Sequence, residues 1–514
     1  MTVDSTQPIT PDDAEAASAD RLHIRGSSLM LVGRLVSMAL NLLVQVVTVR
    51  YLSRGGYGSF AFVMAIVGLG SSFVLFGQNK ALGRFLPTYE ETGHPRKARG
   101  SIVVAFSTVF VLGSSLIATV LGLQLVAGID LVDDEVASQV LVVLIALAPI
   151  QALDTLLMEL SAVVGQAKTI FIRRYLLTPA LRLASVLLVV AVSGGATTLA
   201  WAYLGSGLLG LLAYLVMLRN VISRRWRDDV PGVAPPAREM LTFGLPMFTS
   251  DMVHALRATI VVVMIGALHT VDDVATYRAV LPVAQLNLIG LQAFGMLYLP
   301  VVSRLLARGE RAELAGLYWR STLWISVATF PVFALSFSFA RPTTLFFFGD
   351  RYQSSATILV VLALGYYLSA SFGLNVLTLK GAGRVRALLT IDITVAAINV
   401  TAMLLLIPRF GALGGAYATA GSLVLHNVLV QVALRDTTGL AAIPREARRV
   451  YAVCVGVALA LVGVEVTVEP RIVLALILGA VGSMVVLLAN RNVLRVGDTF
   501  PEALRIPLIG RLMR

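Results

Sequence analysis

The chain holds a single cysteine, Cys454, in 514 residues, so no disulfide can form within it and no thiolate cluster can bind a metal. Cys454 sits in an apolar run and reads as a small core residue. Charge is also scarce: 14% of residues are charged, against roughly 25% in soluble domains. The five histidines form no H-E-x-x-H motif, which argues against a metal site. No G-x-x-x-x-G-K-[ST] loop is present, since Gly165 and Lys168 in GQAKT have the wrong spacing, and ATP hydrolysis by this chain is therefore excluded. Long polar segments are missing as well. The longest basic connection runs over 219–240, too short for the extramembrane domain that many membrane glycosyltransferases carry, so an enzyme would have to use a buried intramembrane pocket.

What is present is apolar surface. Hydrophobic residues make up 57% of the chain, in runs long enough to cross roughly 30 Å of hydrocarbon as helices. Fourteen spans are expected: 28–50, 57–78, 100–125, 138–159, 174–193, 198–218, 241–268, 278–303, 319–340, 355–378, 386–407, 412–434, 449–466 and 471–490. The net charge of +12 is a matter of topology. With both termini cytoplasmic, 31 of the 41 Lys and Arg fall on the inside and seven outside: Arg50, Arg54, Arg278, Arg341, Arg351, Arg409 and Arg471. Such a basic face, with Arg224, Arg225 and Arg227, suits membrane lipids with anionic headgroups rather than nucleic acid. The expectation is an all-α integral protein of the cell membrane, multi-pass, with about 14 transmembrane helices. Residues 1–27, rich in Asp, Pro and small polar residues, read as a disordered cytoplasmic tail with none of the features of a signal peptide.

The stretch from Tyr51 to Pro87, YLSRGGYGSFAFVMAIVGLGSSFVLFGQNKALGRFLP, joins a glycine-rich turn to a membrane-length run and a basic exit through Lys80 and Arg84. A shift of 220 places Tyr57 on Tyr277 and Arg84 on Arg304, which suggests parallel repeats. Two six-helix lobes facing one another are expected, at 28–218 and 241–434. A basic cytoplasmic linker, 219–240, would join them, followed by an appended helix pair in 435–490 and a basic cytoplasmic tail, 491–514. Two further motifs stand out: LFFFGDRYQSSATILVVLALGYYLSA, from Leu345 to Ala370, and IPRFGALGGAYATAGSLVL, from Ile407 to Leu425. With the opening block they resemble the polysaccharide flippases of the Wzx type, within the larger group that also holds the lipid II flippases and the MATE multidrug exporters. The resemblance implies translocation of a polyprenyl-linked oligosaccharide from the cytoplasmic to the outer leaflet, for surface polysaccharide or protein glycosylation, with no cofactor. Partners would be the lipid-linked oligosaccharide itself and a glycan polymerase or oligosaccharyltransferase machinery downstream. Arg34 is an approximate positional counterpart of basic cavity residues in the first helices of lipid II flippases.

Charges within the spans carry the chemistry, since each costs roughly 2.5 to 3.5 kcal/mol at a helix centre and persists where it finds a partner or a wet cavity. Asp251, His254 and Arg257 recur every three residues and share about a 120° arc of one helix. Pro246 suits a first-turn position or a kink. By the 220 shift His254 overlies Arg34, and Arg182, about 12 Å into its span, completes a candidate basic lining for an anionic headgroup. Structural alternatives stand beside this: Arg34 can snorkel, Arg257 and Asp251 can pair with each other or with a neighbouring helix, and Arg182 can neutralise Asp154 or Asp392. Asp154, Asp251 and Asp392 are candidates for cation coupling, and equally for structural hydrogen bonding. His426 reads as a helix-packing residue. Two other functions fit the composition: a MATE-like cation-coupled exporter, with acids lining the cavity, and a membrane glycan polymerase or ligase.

Overall fold

The computed structural model describes residues 33, 36–129, 131–225, 232–438 and 443–494. The expected tail 1–27, Arg34 and residues 495–514 lie outside the described residues, as do 226–231 of the expected linker. No strand occurs among the described residues. That follows from the apolar composition: in hydrocarbon every backbone N–H and C=O needs an internal partner, which a helix supplies within one segment. Twelve helices among the described residues are long and apolar enough to cross a membrane. One of them, Val385–Asp436, covers two expected spans, 386–407 and 412–434, and the expected first span meets a shorter apolar helix, Val36–Tyr51.

The chain divides into two compact units, one holding the residues up to Leu52 with Val63–Thr259, the other Ser53–Phe62 with Ile260 onward. The first unit contains α1 (Val36–Tyr51), most of α2 (Arg54–Leu75), α3 (Gln78–Glu91), α4 (Pro95–Leu121), α5 (Glu135–Leu144), α6 (Leu147–Val163), α7 (Ala167–Phe171), α8 (Thr178–Ala191), α9 (Ala196–Arg225) and the greater part of α10 (Ala237–Leu268). Its core joins α3, α4 and α6 through Leu82, Leu86, Ala98, Val109, Leu156 and Leu160. The α10 helix begins at Ala237 rather than near 241, which puts Pro246 in the helix interior instead of the first turn. The α2 helix ends at Leu75, three residues before the expected end of the second span, and Lys80 and Arg84 lie within the next helix, α3.

The second unit contains α11 (Val271–Gln285), α12 (Ile289–Arg308), α13 (Arg311–Phe333), α14 (Ala340–Phe348), α15 (Ser355–Phe372), α16 (Asn375–Gly381), α17 (Val385–Thr438), α18 (Arg445–Val468), α19 (Ile472–Ala489) and α20 (Arg491–Leu494). The α18 and α19 pair packs on α13. Buried Phe330, Phe333 and Cys454 share one core with Ala458 and Val486, so the lone cysteine is the small core residue expected of it. Trp324 Nε1 donates to the Leu494 carbonyl at 3.1 Å, and Tyr451 Oη to that of Ser371 at 2.8 Å. Within α17 the chain reverses at Gly411, where φ is 55° and ψ is −132°. Three residues on, a Cβ at Gly414 would lie 2.3 Å from the Leu406 carbonyl oxygen. The glycines of the I-P-x-x-G-x-x-G motif thus close a turn that no side chain could enter.

Candidate functional site

The site begins with a break in an apolar helix. Residues Arg54–Glu91 form one membrane-length helical stretch, yet Phe76 and Gly77 both adopt left-handed backbone, with φ of 45° and 66°, and separate α2 from α3. A phenylalanine in that region carries a strain of about 1–3 kcal/mol and persists only where its surroundings fix it. Here α10 fixes it: the Phe76 ring stacks on Phe248 at 5.0 Å between centroids, and Phe73 meets the same ring edge-on at 6.0 Å. Backbone approaches backbone as well. A Cβ at Gly77 would lie 2.5 Å from the Gly244 carbonyl oxygen and 3.0 Å from the Phe248 nitrogen, and one at Gly244 would lie 2.9 Å from the Phe76 carbonyl oxygen. Gly77→Ala therefore meets both a strained φ and a backbone clash, and we expect a loss of at least about 2 kcal/mol, read as a lowered unfolding temperature of the purified protein.

Polar groups gather on the first turn of α3. Gln78 is fully buried, and neither polar atom of its side chain has a hydrogen-bond partner among the described residues. The Asn79 Oδ1 is in the same position. Lys80 reaches across to α10 and forms an ion pair with Asp251 through Oδ1, while Oδ2 of Asp251 is buried without a hydrogen bond. Farther along α3 the Arg84 guanidinium lies 4.7 Å from the Phe243 ring centroid. Tyr89 Oη donates to Glu239 at 2.7 Å, so α3 and α10 are bound by polar contacts at both ends. A broken helix with unpartnered polar atoms beside an ion pair is the arrangement in which transporters hold ions and anionic headgroups. Opening the pair would release a primary ammonium for an anion and leave a carboxylate able to take a proton or a metal cation.

A second cluster surrounds Asp154 on α6. Its carboxylate lies 2.7 Å from the Arg173 guanidinium, and Arg173 is only 6% exposed. Arg173 belongs to a π-helical turn, Ile172–Leu177, that links α7 to α8. Its guanidinium also donates to Thr178 Oγ1 and lies 5.8 Å from the Tyr214 ring centroid, and Tyr214 Oη is 3.0 Å from Ser161 Oγ. Room for the side chain comes from Gly210 on α9, where a Cβ would stand 2.7 Å from Arg173 Nη2.

The residues singled out from sequence are thus distributed as follows. Asp251 meets Lys80, and His254 and Arg257, one and two turns on along α10, are exposed. Asp154 takes Arg173 as its ion-pair partner. Arg182 is partly buried, with its charge also acting on Asp154 and on Tyr203. Asp392, in the other unit, accepts from His426 Nε2 at 2.9 Å. Sequence reasoning passed over Lys80 and Arg173 by counting both as loop charges. The signal for Lys80 was the amide pair Gln78 and Asn79 directly before it. For Arg173 it was Pro179, which fits the start of α8 and lets the helical stretch begin earlier.

Residues 24–306 match the family model described as polysaccharide biosynthesis protein. No curated protein matches the chain. Among solved structures, the lipid II flippase MurJ in an inward closed conformation is similar with a TM-score of 0.67 at 12% identity, covering 92% of this chain and 99% of that one. An inward-facing multidrug resistance MATE family transporter of the MOP superfamily gives a TM-score of 0.61 at 15% identity, covering 80% and 98%. A MOP superfamily transporter from Pyrococcus furiosus gives 0.52 at 17%, covering 81% and 95%. At these identities the likeness is one of fold. Because the matched residues are more than half of its length, the chain belongs to the polysaccharide biosynthesis protein family, built on the all-helical membrane fold of the MurJ and MATE transporters.

Proposed function

We propose that this protein is a flippase that carries a polyprenyl-phosphate or polyprenyl-pyrophosphate-linked oligosaccharide from the cytoplasmic to the outer leaflet of the cell membrane. The observation that carries the reading is the Lys80–Asp251 pair at the helix break between apolar α2 and polar α3, in a chain from a polysaccharide biosynthesis family. In this reading the phosphate of the cargo competes with Asp251 for Lys80. Arg257 and His254 on α10, with Arg182 and Arg34, form the rest of the basic lining. Arginine suits the task because its planar fork binds two phosphate oxygens and stays charged. Asp251 is the foremost of the three acids for cation coupling, since it shares the helix break with Lys80 and keeps a buried Oδ2 without a hydrogen bond. The lobes 28–218 and 241–434 work by alternating access, both termini are cytoplasmic, and a glycan polymerase or oligosaccharyltransferase receives the product.

The test is a lipid extract from a strain lacking the gene, scored for the amount and leaflet sidedness of lipid-linked sugars. Complete oligosaccharide accumulating on the cytoplasmic leaflet, restored to parental levels by the wild-type gene but not by Arg257→Glu at equal protein abundance, is the expected outcome. Unchanged intermediates would overturn the reading and favour a cation-coupled exporter, whereas accumulation on the outer leaflet would point to a downstream polymerase or ligase. Full complementation by Arg257→Glu would remove that residue from the lining.

A further inference from the structure

At one end of the α18–α19 hairpin, where both helices leave their apolar runs, a cavity of about 360 Å³ lies between the hairpin and α14. Its charged lining is balanced: Arg341 and Arg471 against Glu465 and Glu469, with Phe346 and Ile472 forming part of the apolar wall. Arg341 and Glu469 engage each other at 3.0 Å. The other two charges do not. Glu465 has a buried Oε2 with no hydrogen-bond donor among the described residues, and Arg471 has no ion pair among them. Glu469 is held with a φ of 45°, where glycine would be cheaper, so a carboxylate stands there at a cost of roughly 1–2 kcal/mol. We infer that this cavity binds the headgroup of a zwitterionic phospholipid bearing a primary amine, with the ammonium donating to Glu465 and the phosphate resting against Arg471.

The chemistry selects the headgroup. The buried Glu465 oxygen lacks a donor, and a primary ammonium supplies N–H groups that a quaternary choline does not have. An anionic headgroup without an amine would satisfy Arg471 but leave Glu465 unpaired beside a negative charge. Half-exposed Phe346 and partly buried Ile472 offer apolar surface to acyl chains, which favours a lipid over a free phosphoamine. This site lies wholly within the second unit and is independent of the flippase reading.

The experiment is native mass spectrometry of the full-length protein in detergent, titrated with phosphatidylethanolamine, phosphatidylcholine or phosphatidylglycerol of matched chains. We expect retention of phosphatidylethanolamine about tenfold above phosphatidylcholine, the worth of one charge-assisted hydrogen bond. Glu465→Gln should bring that ratio close to one, and Arg471→Gln should weaken retention of all three lipids. Excess soluble phosphoethanolamine should not displace the lipid. Equal retention of the two zwitterionic lipids by the wild-type protein would overturn the assignment without recourse to any variant. A preference unchanged in both variants would place the lipid elsewhere and overturn it as well, and displacement by soluble phosphoethanolamine would overturn the lipid in favour of a free ligand.

Discussion

Replacing Arg173 by methionine will lower the stability of the protein by about 2–4 kcal/mol, somewhat less than the cost of removing one partner from a fully buried ion pair, because the Asp154 side chain keeps 32% exposure. The effect comes from what stays behind. Asp154 would be left inside α6 with its nearest cation gone and only the more distant Arg182 to offset its charge. Tyr214 would lose the guanidinium above its ring, and Gly210 would face a gap shaped for a flat, branched head. Removing both charges, as in Arg173→Met with Asp154→Leu, should recover most of the loss, because an apolar pair of similar volume needs no compensation in hydrocarbon. Arg173→Lys should fall between, since a lysine supplies charge without the fork that serves Asp154 and Thr178 together. Thermal unfolding of the purified variants, with abundance in the membrane, is the measurement. A single Arg173→Met variant as stable as the parent would show that Asp154 is neutralised by other means.

The Lys80 and Asp251 variants should behave differently, with transport failing before folding does. The Lys80 side chain is 40% exposed where that of Arg173 is 8%, so this pair has less to lose in stability than Arg173 and Asp154. Lys80→Ala removes the cation that the cargo phosphate is proposed to capture, and we expect transport of lipid-linked sugar to drop at least about tenfold at near-normal abundance. Asp251→Asn keeps the shape of the side chain and removes its charge; it should leave Lys80 without its anion and weaken any dependence of transport on the cation gradient. The exchange Lys80→Asp with Asp251→Lys separates the two roles. It should restore a coupling energy between the positions, of the order of 0.5–3 kcal/mol in a double-mutant cycle of stability. Transport should stay low, because the cation would now stand on α10 rather than at the helix break. Full recovery of transport by the exchanged pair would mean that the ion pair only holds α3 to α10.

Much of the architecture is legible in the sequence for a simple reason. Crossing hydrocarbon is a requirement on composition over about 20 residues, so the spans can be read by counting apolar residues. The same locality makes the turns readable. Gly411 and Gly414 of the Ile407–Leu425 motif, and Gly349 before buried Tyr352, stand where the chain reverses, and the φ of 55° at Gly411 and 82° at Gly349 explains why glycine is there. Helix ends were harder: α10 starts four residues before its expected boundary, which sets aside the first-turn reading of Pro246 and places it in the helix interior.

The partners of the buried charges could not be read in this way. Asp251 left two pairings open, with Arg257 on its own helix or with a neighbouring helix, and the structure pairs it with Lys80, 171 positions away on α3. For Asp154 the sequence offers Arg182 as one structural alternative, whereas the π-helical turn before α8 delivers Arg173 as its ion-pair partner. Asp392 meets His426, which from sequence reads only as a helix-packing residue. By itself the sequence determined that this is a multi-pass helical membrane protein, where its apolar helices lie and where glycines turn the chain, because transfer free energy and backbone sterics act on neighbouring residues. Only the tertiary structure decided which charges meet and where a helix breaks to let them, because those depend on how helices distant in sequence pack, and a pairing energy falls off within a few ångströms.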